Sequence, residues 1–241
     1  MRTKMPFLLG FLIFLLVFAL ISAAFCGLAQ KHGASTEDVL NHPSPAPFTV
    51  VLDAGHGGED GGAVSASGIY EKDLNLSLTM LVRDLLVANG VNVVMTRETD
   101  VLLYDRNEDY QGRKKALDLA ARRKIAEETD GAVFVSIHMN SYPLPQYDGL
   151  QVWYSPNNAH SKVLAETIQG IVCEQLQPEN DRQVKQATQS IYLLHHLKCP
   201  AVLVECGFLS NPTEAERLND PEYREQLAFL IFLSIMEAQS R

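Results

Sequence analysis

The sequence is short of positive charge. Its 20 lysines and arginines stand against 29 aspartates and glutamates, a formal net charge of −9. That balance argues against a nucleic-acid partner, because phosphate binding needs clustered cations. Cysteine is scarce too. Of the four cysteines, Cys26 lies in an apolar N-terminal run, and Cys173, Cys199 and Cys206 form no C-x-x-C pair. This argues against a thiolate zinc site. Cys199 and Cys206 fall on one extended-looking run, too far apart to bridge, so the cysteines read as buried free thiols. The glycine-rich segment is not followed by G-K-S or G-K-T, which leaves a phosphate-binding P-loop unsupported. No internal repeat is evident.

What is present begins with a targeting signal. Arg2 and Lys4 precede Met5 to Gln30, a stretch without a charged residue. Its most apolar part, Phe7 to Phe25, is long enough to cross a hydrocarbon layer of roughly 30 Å as a helix, and the positive flank keeps the N-terminus in the cytoplasm. The rival reading is a cleaved signal peptide, for which Gly27-Leu28-Ala29 offers a small-x-small site. A lipoprotein is disfavoured because Phe25 precedes Cys26. Each reading places the rest of the chain outside the cytoplasmic membrane. Residues 1–29 are therefore read as anchor or signal peptide, and 30–47 as an extended linker closing on Pro43, Pro45 and Pro47. Residues 48–241 form one domain of roughly 195 residues.

That domain alternates strand-like and helix-like runs. Phe48 to Asp53, Val91 to Thr96, Ala132 to Ile137, Leu150 to Tyr154 and Ala201 to Glu205 read as short buried strands, and Ile191 to Leu194 is a further short apolar run. Lys72 to Asn89, Gly112 to Thr129 and Ser161 to Leu176 read as helices. Asn211-Pro212-Thr213-Glu214 has the form of a helix start, as does Asp220-Pro221-Glu222. The expected fold is α/β: a three-layer sandwich with a roughly six-stranded, mostly parallel or mixed sheet flanked by helices.

In such sheets ligands gather beyond the C-terminal strand ends, and that is where the reactive residues fall. His56 follows the first strand among five glycines, Gly55, Gly57, Gly58, Gly61 and Gly62. His138 follows the strand Ala132 to Ile137, and Glu205 ends the strand Ala201 to Val204. Glu71 stands at a helix start from which a short loop returns it to the same rim. Two histidines and a carboxylate from separate elements can hold Zn²⁺ with one position open. A second carboxylate that is not a ligand can then act as general base. Each residue also has a plainer reading. His56 suits an anion-binding turn, Glu71 a charge favoured by the helix dipole, and His138 a satisfied strand-end histidine. Glu205 is harder to place as structure, since it closes the apolar run Ala-Val-Leu-Val. His195-His196 does not read as a ligand pair, because neighbours on a strand face opposite ways.

The segments DAGHGGEDGGA, EKDLNL, VMTRETD, VSIHMNS, GLQVWY, RQVK and PAVLVECGFLSNPTEAERL, in that order from Val50 onward, resemble the zinc-dependent N-acetylmuramoyl-L-alanine amidases of the amidase-3 family. The resemblance implies hydrolysis of the amide between N-acetylmuramic acid and the first L-alanine of the peptidoglycan stem peptide. It implies His56, Glu71 and His138 as zinc ligands and Glu205 as catalytic glutamate. It also aligns Arg182 and Lys185 with a basic pair that could grip stem-peptide carboxylates. Two departures stand out: Ala54 replaces a usual proline and Glu127 a frequent asparagine. The stretch Tyr104 to Lys115, overlapped by YQGRKKALDLAARRKIA, is similar to short, membrane-anchored amidases of endospore formers, which prepare cortex peptidoglycan for muramic-δ-lactam formation and germination. The expected partners are thus peptidoglycan and a membrane, and the sequence names no activator protein. Competing readings are a zinc peptidase, a polysaccharide deacetylase, or an inactive tethered wall-binding module.

Overall fold

A computed structural model describes residues 48–105, 107 and 111–239. The expected anchor and linker, 1–47, lie outside the described residues. Among the described residues no helix is long and apolar enough to cross a membrane.

Strand β1 (Thr49–Ala54) lies between β2 (Asn92–Met95) and β3 (Ala132–Asn140), and β6 (Ala201–Phe208) flanks β3, all parallel. Beyond β6, β4 (Gln151–Tyr154) runs antiparallel to it and carries the two-residue β5 (Lys185–Gln186), parallel to β4. The six strands form one mixed sheet in the order β2-β1-β3-β6-β4-β5.

The central strands read as unbroken apolar runs because both faces are covered. Alternate residues go to opposite sides. Val50, Leu52, Val133, Val135, Ile137, Val202 and Val204 join one core; Val51, Ala132, Phe134, Ala201 and Leu203 join the other. The first core packs under helices α1 (Glu71–Ala88), α3 (Ala159–Gln175) and α6 (Pro221–Gln239). The second packs under α2 (Lys114–Glu127) and the short α4 (Tyr192–His196). In α1, Leu74, Leu78, Val82 and Leu86 recur every four residues and are all buried, each contributing about 1.5–3 kcal/mol.

The short apolar run Ile191 to Leu194 leads into α4 rather than a strand, and the remaining strand is Lys185–Gln186. The reason lies in its carbonyls: Asn157 Nδ2 donates to Leu194 O, His195 O and Leu197 O, satisfying a helix end that a sheet edge would otherwise have to pair. His196 Nδ1 lies 2.8 Å from Tyr192 O, so this ring is used within its own helix. After β6, Asn211 caps α5 (Pro212–Asn219) as expected, accepting from the amides of Thr213 and Glu214. The Glu214 side chain, however, does not turn back to the cap; it accepts from Phe208 N and Gly149 N.

Candidate metal centre and active site

The alternation that sorts apolar residues also sorts the polar ones. At the C-terminal ends, Asp53 follows Val51, Ser136 and His138 follow Phe134, and Glu205 follows Leu203, each two residues apart along its strand. They therefore project on the face covered by α2 and α4. His138 and Glu205 are register partners on adjacent strands.

His56 leaves β1 in a left-handed conformation, φ 61°, which costs a side-chain-bearing residue about 1 kcal/mol or more. Two glycines make room for the cluster. A β-carbon on Gly55 would stand 2.3 Å from the His138 ring, and one on Gly62 (φ 66°) would stand 2.4 Å from Glu71 Oε2. Glu71 is the first residue of α1 rather than its forerunner. Its Oε2 accepts from Ala63 N at 2.8 Å, and its Oε1 accepts from Met139 N at 3.1 Å.

Glu71 Oε1 lies 3.2 Å from His56 Nε2 and 3.0 Å from His138 Nδ1. The donor atoms of the three side chains all lie within 4.8 Å of one another. Tetrahedral bonds of about 2.0–2.2 Å place donor atoms roughly 3.3–3.6 Å apart, so the two edges that meet at Glu71 Oε1 need only a slight expansion to accept an ion. The nitrogen and oxygen donor set suits a borderline divalent cation. On the far side of the His56 ring, Asp60 Oδ2 lies 2.9 Å from Nδ1, within ion-pair reach but off hydrogen-bond alignment; a small turn of the ring would give the carboxylate–imidazole support typical of metal-binding histidines.

Glu205 lines a cavity of about 220 Å³ together with His56, His138, Asp60, Lys115, Tyr192 and neighbours. Its Oε2 is buried and, among the described residues, has no hydrogen-bond partner. Burial raises its pKa to about 7 against the opposing pull of His138. Burial would also raise Glu71, but hydrogen bonds from His138 and His56 outweigh it and hold that carboxyl well below the usual range. For His56 burial acts downward, and contacts with Asp60 and Glu71 reverse it, leaving the ring at about 9. A larger cavity of about 630 Å³, lined by Asp148, Gln177, Arg217 and Tyr223 among others, contains none of these groups. The chemistry therefore points to the smaller one.

The structure thus brings His56, Glu71, His138 and Glu205 together. Arg182 and Lys185 do not line that cavity. Arg182 sits over the rings of Phe208 and Tyr147 at 4.6 and 5.7 Å and donates from Nε to Asp148 O, while Lys185 lies over Trp153. Reading the sequence alone missed the supports of the site. Asp60 stands four residues after His56. Asp53 accepts from Thr96 Oγ1, Ser136 Oγ and Arg122 Nη1, and these partners overcome burial to keep its pKa low. Arg122 was detectable as a cation on the buried stripe of α2, four residues from Ala126.

A six-stranded α/β sandwich with a His-Glu-His donor set and a half-buried glutamate beside it, at the C-terminal ends of the central strands, is an arrangement compatible with metal-assisted hydrolysis. Residues 50–237 match the N-acetylmuramoyl-L-alanine amidase family, and the chain belongs to it. It is 35% identical over 242 residues to the germination-specific N-acetylmuramoyl-L-alanine amidase of Bacillus subtilis, covering 98% of this chain and 95% of that protein. The CwlD amidase of Clostridioides difficile, solved in complex with the GerS lipoprotein, superposes with a TM-score of 0.76 at 38% identity, covering 80% of this chain and 98% of that one. The amidase AmiC2 of Nostoc punctiforme gives 0.68 at 31% identity, covering 82% and 100%.

Proposed function

We propose that this peptidoglycan amidase is a zinc enzyme in which His56, Glu71 and His138 hold the ion and Glu205 is the catalytic base. The observation that carries this reading is the convergence of three donor atoms beside a buried carboxyl with an orphan oxygen. When bound, zinc would polarise the scissile carbonyl and lower the pKa of a water.

The chain's own part follows from the geometry. Glu71 offers Oε1 while its Oε2 is fixed by the Ala63 amide, so the ligating oxygen has one orientation. Asp60 holds His56 Nδ1 and leaves Nε2 facing the cluster. Glu205, with a pKa of about 7 before any cation is bound, can take a proton from the attacking water. It then delivers that proton to the amine of L-alanine as the bond to the lactyl carbonyl breaks. Apolar Ile191, Leu193 and Leu203 wall the cavity and limit water around the reacting atoms.

The setting is proposed from the relatives and from the N-terminal sequence. The chain acts at the outer face of the cytoplasmic membrane, tethered through residues 1–29, on cortex peptidoglycan destined for muramic-δ-lactam formation and germination. The germination-specific amidase supports this assignment. The relative solved with a lipoprotein supports a protein partner for this chain as well. Arg182, whose guanidinium donates only from Nε to Asp148 O among the contacts of the described residues, is proposed to grip a stem-peptide carboxylate beyond the cavity, with Lys185 beside it.

The test is digestion of purified peptidoglycan and mass analysis of the fragments. Free stem peptides beginning with L-alanine are expected. Cleavage within the peptide, or release of acetate from the sugars, would replace the amidase reading by a peptidase or deacetylase.

A further inference from the structure

Arg97 is buried, only 3% exposed, and among the described residues it makes no ion pair. Its donors go to main-chain carbonyls: Nε to Ala54 O at 2.8 Å, Nη1 to Thr99 O at 3.0 Å, and Nη2 to both Gly55 O at 3.0 Å and Lys72 O at 2.8 Å. A buried cation without a carboxylate beside it is expensive, and burial together with the nearby Arg122 charge lowers its pKa. Its guanidinium does not line the cavity that holds Glu205, so it does not meet substrate.

Its actual contacts are informative. Ala54 and Gly55 immediately precede His56, and Lys72 immediately follows Glu71. One nitrogen, Nη2, therefore ties the segment carrying one proposed ligand to the segment carrying another. Asn75 repeats the tie from the side, donating from Nδ2 to Gly55 O at 3.1 Å and to Glu71 Oε1 at 3.3 Å. Gly55 also abuts the His138 ring, so all three ligand segments meet at this one peptide. On the next carbonyl, Arg122 donates to His56 O at 2.8 Å and holds the strained left-handed residue in place.

We propose that Arg97, seconded by Asn75, is a positioning residue that sets the spacing between His56 and Glu71 and so preorganises the metal site. This rests on the metal reading above and concerns a residue that touches neither metal nor substrate. A planar guanidinium can serve four carbonyls at once. A lysine ammonium keeps the charge but is a point donor that cannot span both segments.

The experiment uses the full chain, metal-stripped and then titrated with Co²⁺ alone, and compares wild type, Arg97→Lys and Asn75→Ala. Thermal unfolding of the metal-free protein is measured in parallel. Supporting groups of this kind typically govern metal affinity by about 10–100-fold. Arg97→Lys is expected to weaken Co²⁺ binding within that range and to change the intensity of the visible cobalt bands, which reports ligand geometry. Asn75→Ala is expected to weaken binding about tenfold, and it carries the test if Arg97→Lys does not fold. A variant that melts lower but binds Co²⁺ with unchanged affinity and spectrum would make the role merely structural and overturn the inference. A wild type that binds no Co²⁺ would instead overturn the metal reading on which it rests.

Discussion

Two glutamates face the same small region from opposite sides and are driven in opposite directions. Glu71 opens α1 and is surrounded by donors: the amides of Ala63 and Met139, the Asn75 side chain and two imidazoles. Its charge is favoured despite burial. Glu205 ends an apolar run on β6, and its Oε2 meets no donor among the described residues. Its proton is favoured until something cationic arrives. On the proposed reading the same side chain serves as a ligand in one setting and as an acid–base group in the other, because environment sorts titratable pairs into roles.

The largest effect should come from breaking this division. Glu205→Gln removes the proton carrier but no donor atom of the cluster. It should keep bound zinc and the wild-type melting temperature while turnover falls about 10²–10⁴-fold. Glu71→Ala, His56→Ala and His138→Ala should each fail at the earlier step, losing zinc on dialysis, as read by elemental analysis. Near-normal turnover in Glu205→Gln, or full zinc retention in one of the other three, would erase the contrast for that residue.

A second test separates space from strain. Gly55→Ala forces a β-carbon to 2.3 Å from the His138 ring, whereas a β-carbon on Gly68, which unlike Gly55 is left-handed at φ 84°, would have nothing within 4 Å among the described residues. Gly55→Ala should lower metal affinity at least about tenfold by displacing a ligand. Gly68→Ala should cost about 1–2 kcal/mol of stability and leave metal affinity unchanged. Equal losses in both variants would mean that glycine serves only chain flexibility here.

The protonation contrast can be sharpened with pH. In the metal-free protein His56 is raised from 6.5 to about 9. Its protonated form therefore stabilises the fold fully below about pH 6.5, and that contribution disappears as pH rises through 9. Zinc requires the neutral ring, so binding near neutral pH should expel a proton from His56, and apparent affinity should climb as the pH approaches its pKa. Calorimetric titration in buffers of different ionisation enthalpy reads the proton count; absence of proton release would contradict the arrangement. Asp53 behaves in the opposite sense. Its pKa is lowered from 3.8, so the stability it lends is present above about pH 4 and is lost on acidification below that.

Much of this was legible in sequence, and the exceptions have physical causes. Apolar runs marked β1, β3 and β6 because both of their faces are buried, and the spacing of Leu74, Leu78 and Leu85 marked α1. The four central site residues could be picked out because each is a reactive group at a strand or helix end. The Ile191 to Leu194 run stayed a bare apolar run because apolar content does not separate a short helix from a short strand; Asn157, more than thirty residues away, caps its helical end. Lys185–Gln186 has no apolar signal and becomes a strand only by pairing with Trp153 and Tyr154. Arg97 was visible within VMTRETD, yet its partners are main-chain carbonyls, which look alike in any sequence.

The smallest expected effect concerns reach beyond the cavity. Arg182 is held by stacking on Phe208 and Tyr147 and by its bond to Asp148 O. Phe208 lies three residues past Glu205 on β6, and β5 is two strands from β6, so Arg182 borders the same sheet end but outside the cavity that Glu205 lines. A carboxylate paired with a half-exposed arginine gains modest energy, because solvent still screens it. Arg182→Ala should therefore raise KM for stem-peptide substrates a few-fold, with kcat and zinc content unchanged. Lys185→Ala should change KM less, since its ammonium is a single flexible point charge. If Arg182→Ala lowers kcat and leaves KM intact, Arg182 acts through the loop around Asp148 and the rim of the site rather than on substrate.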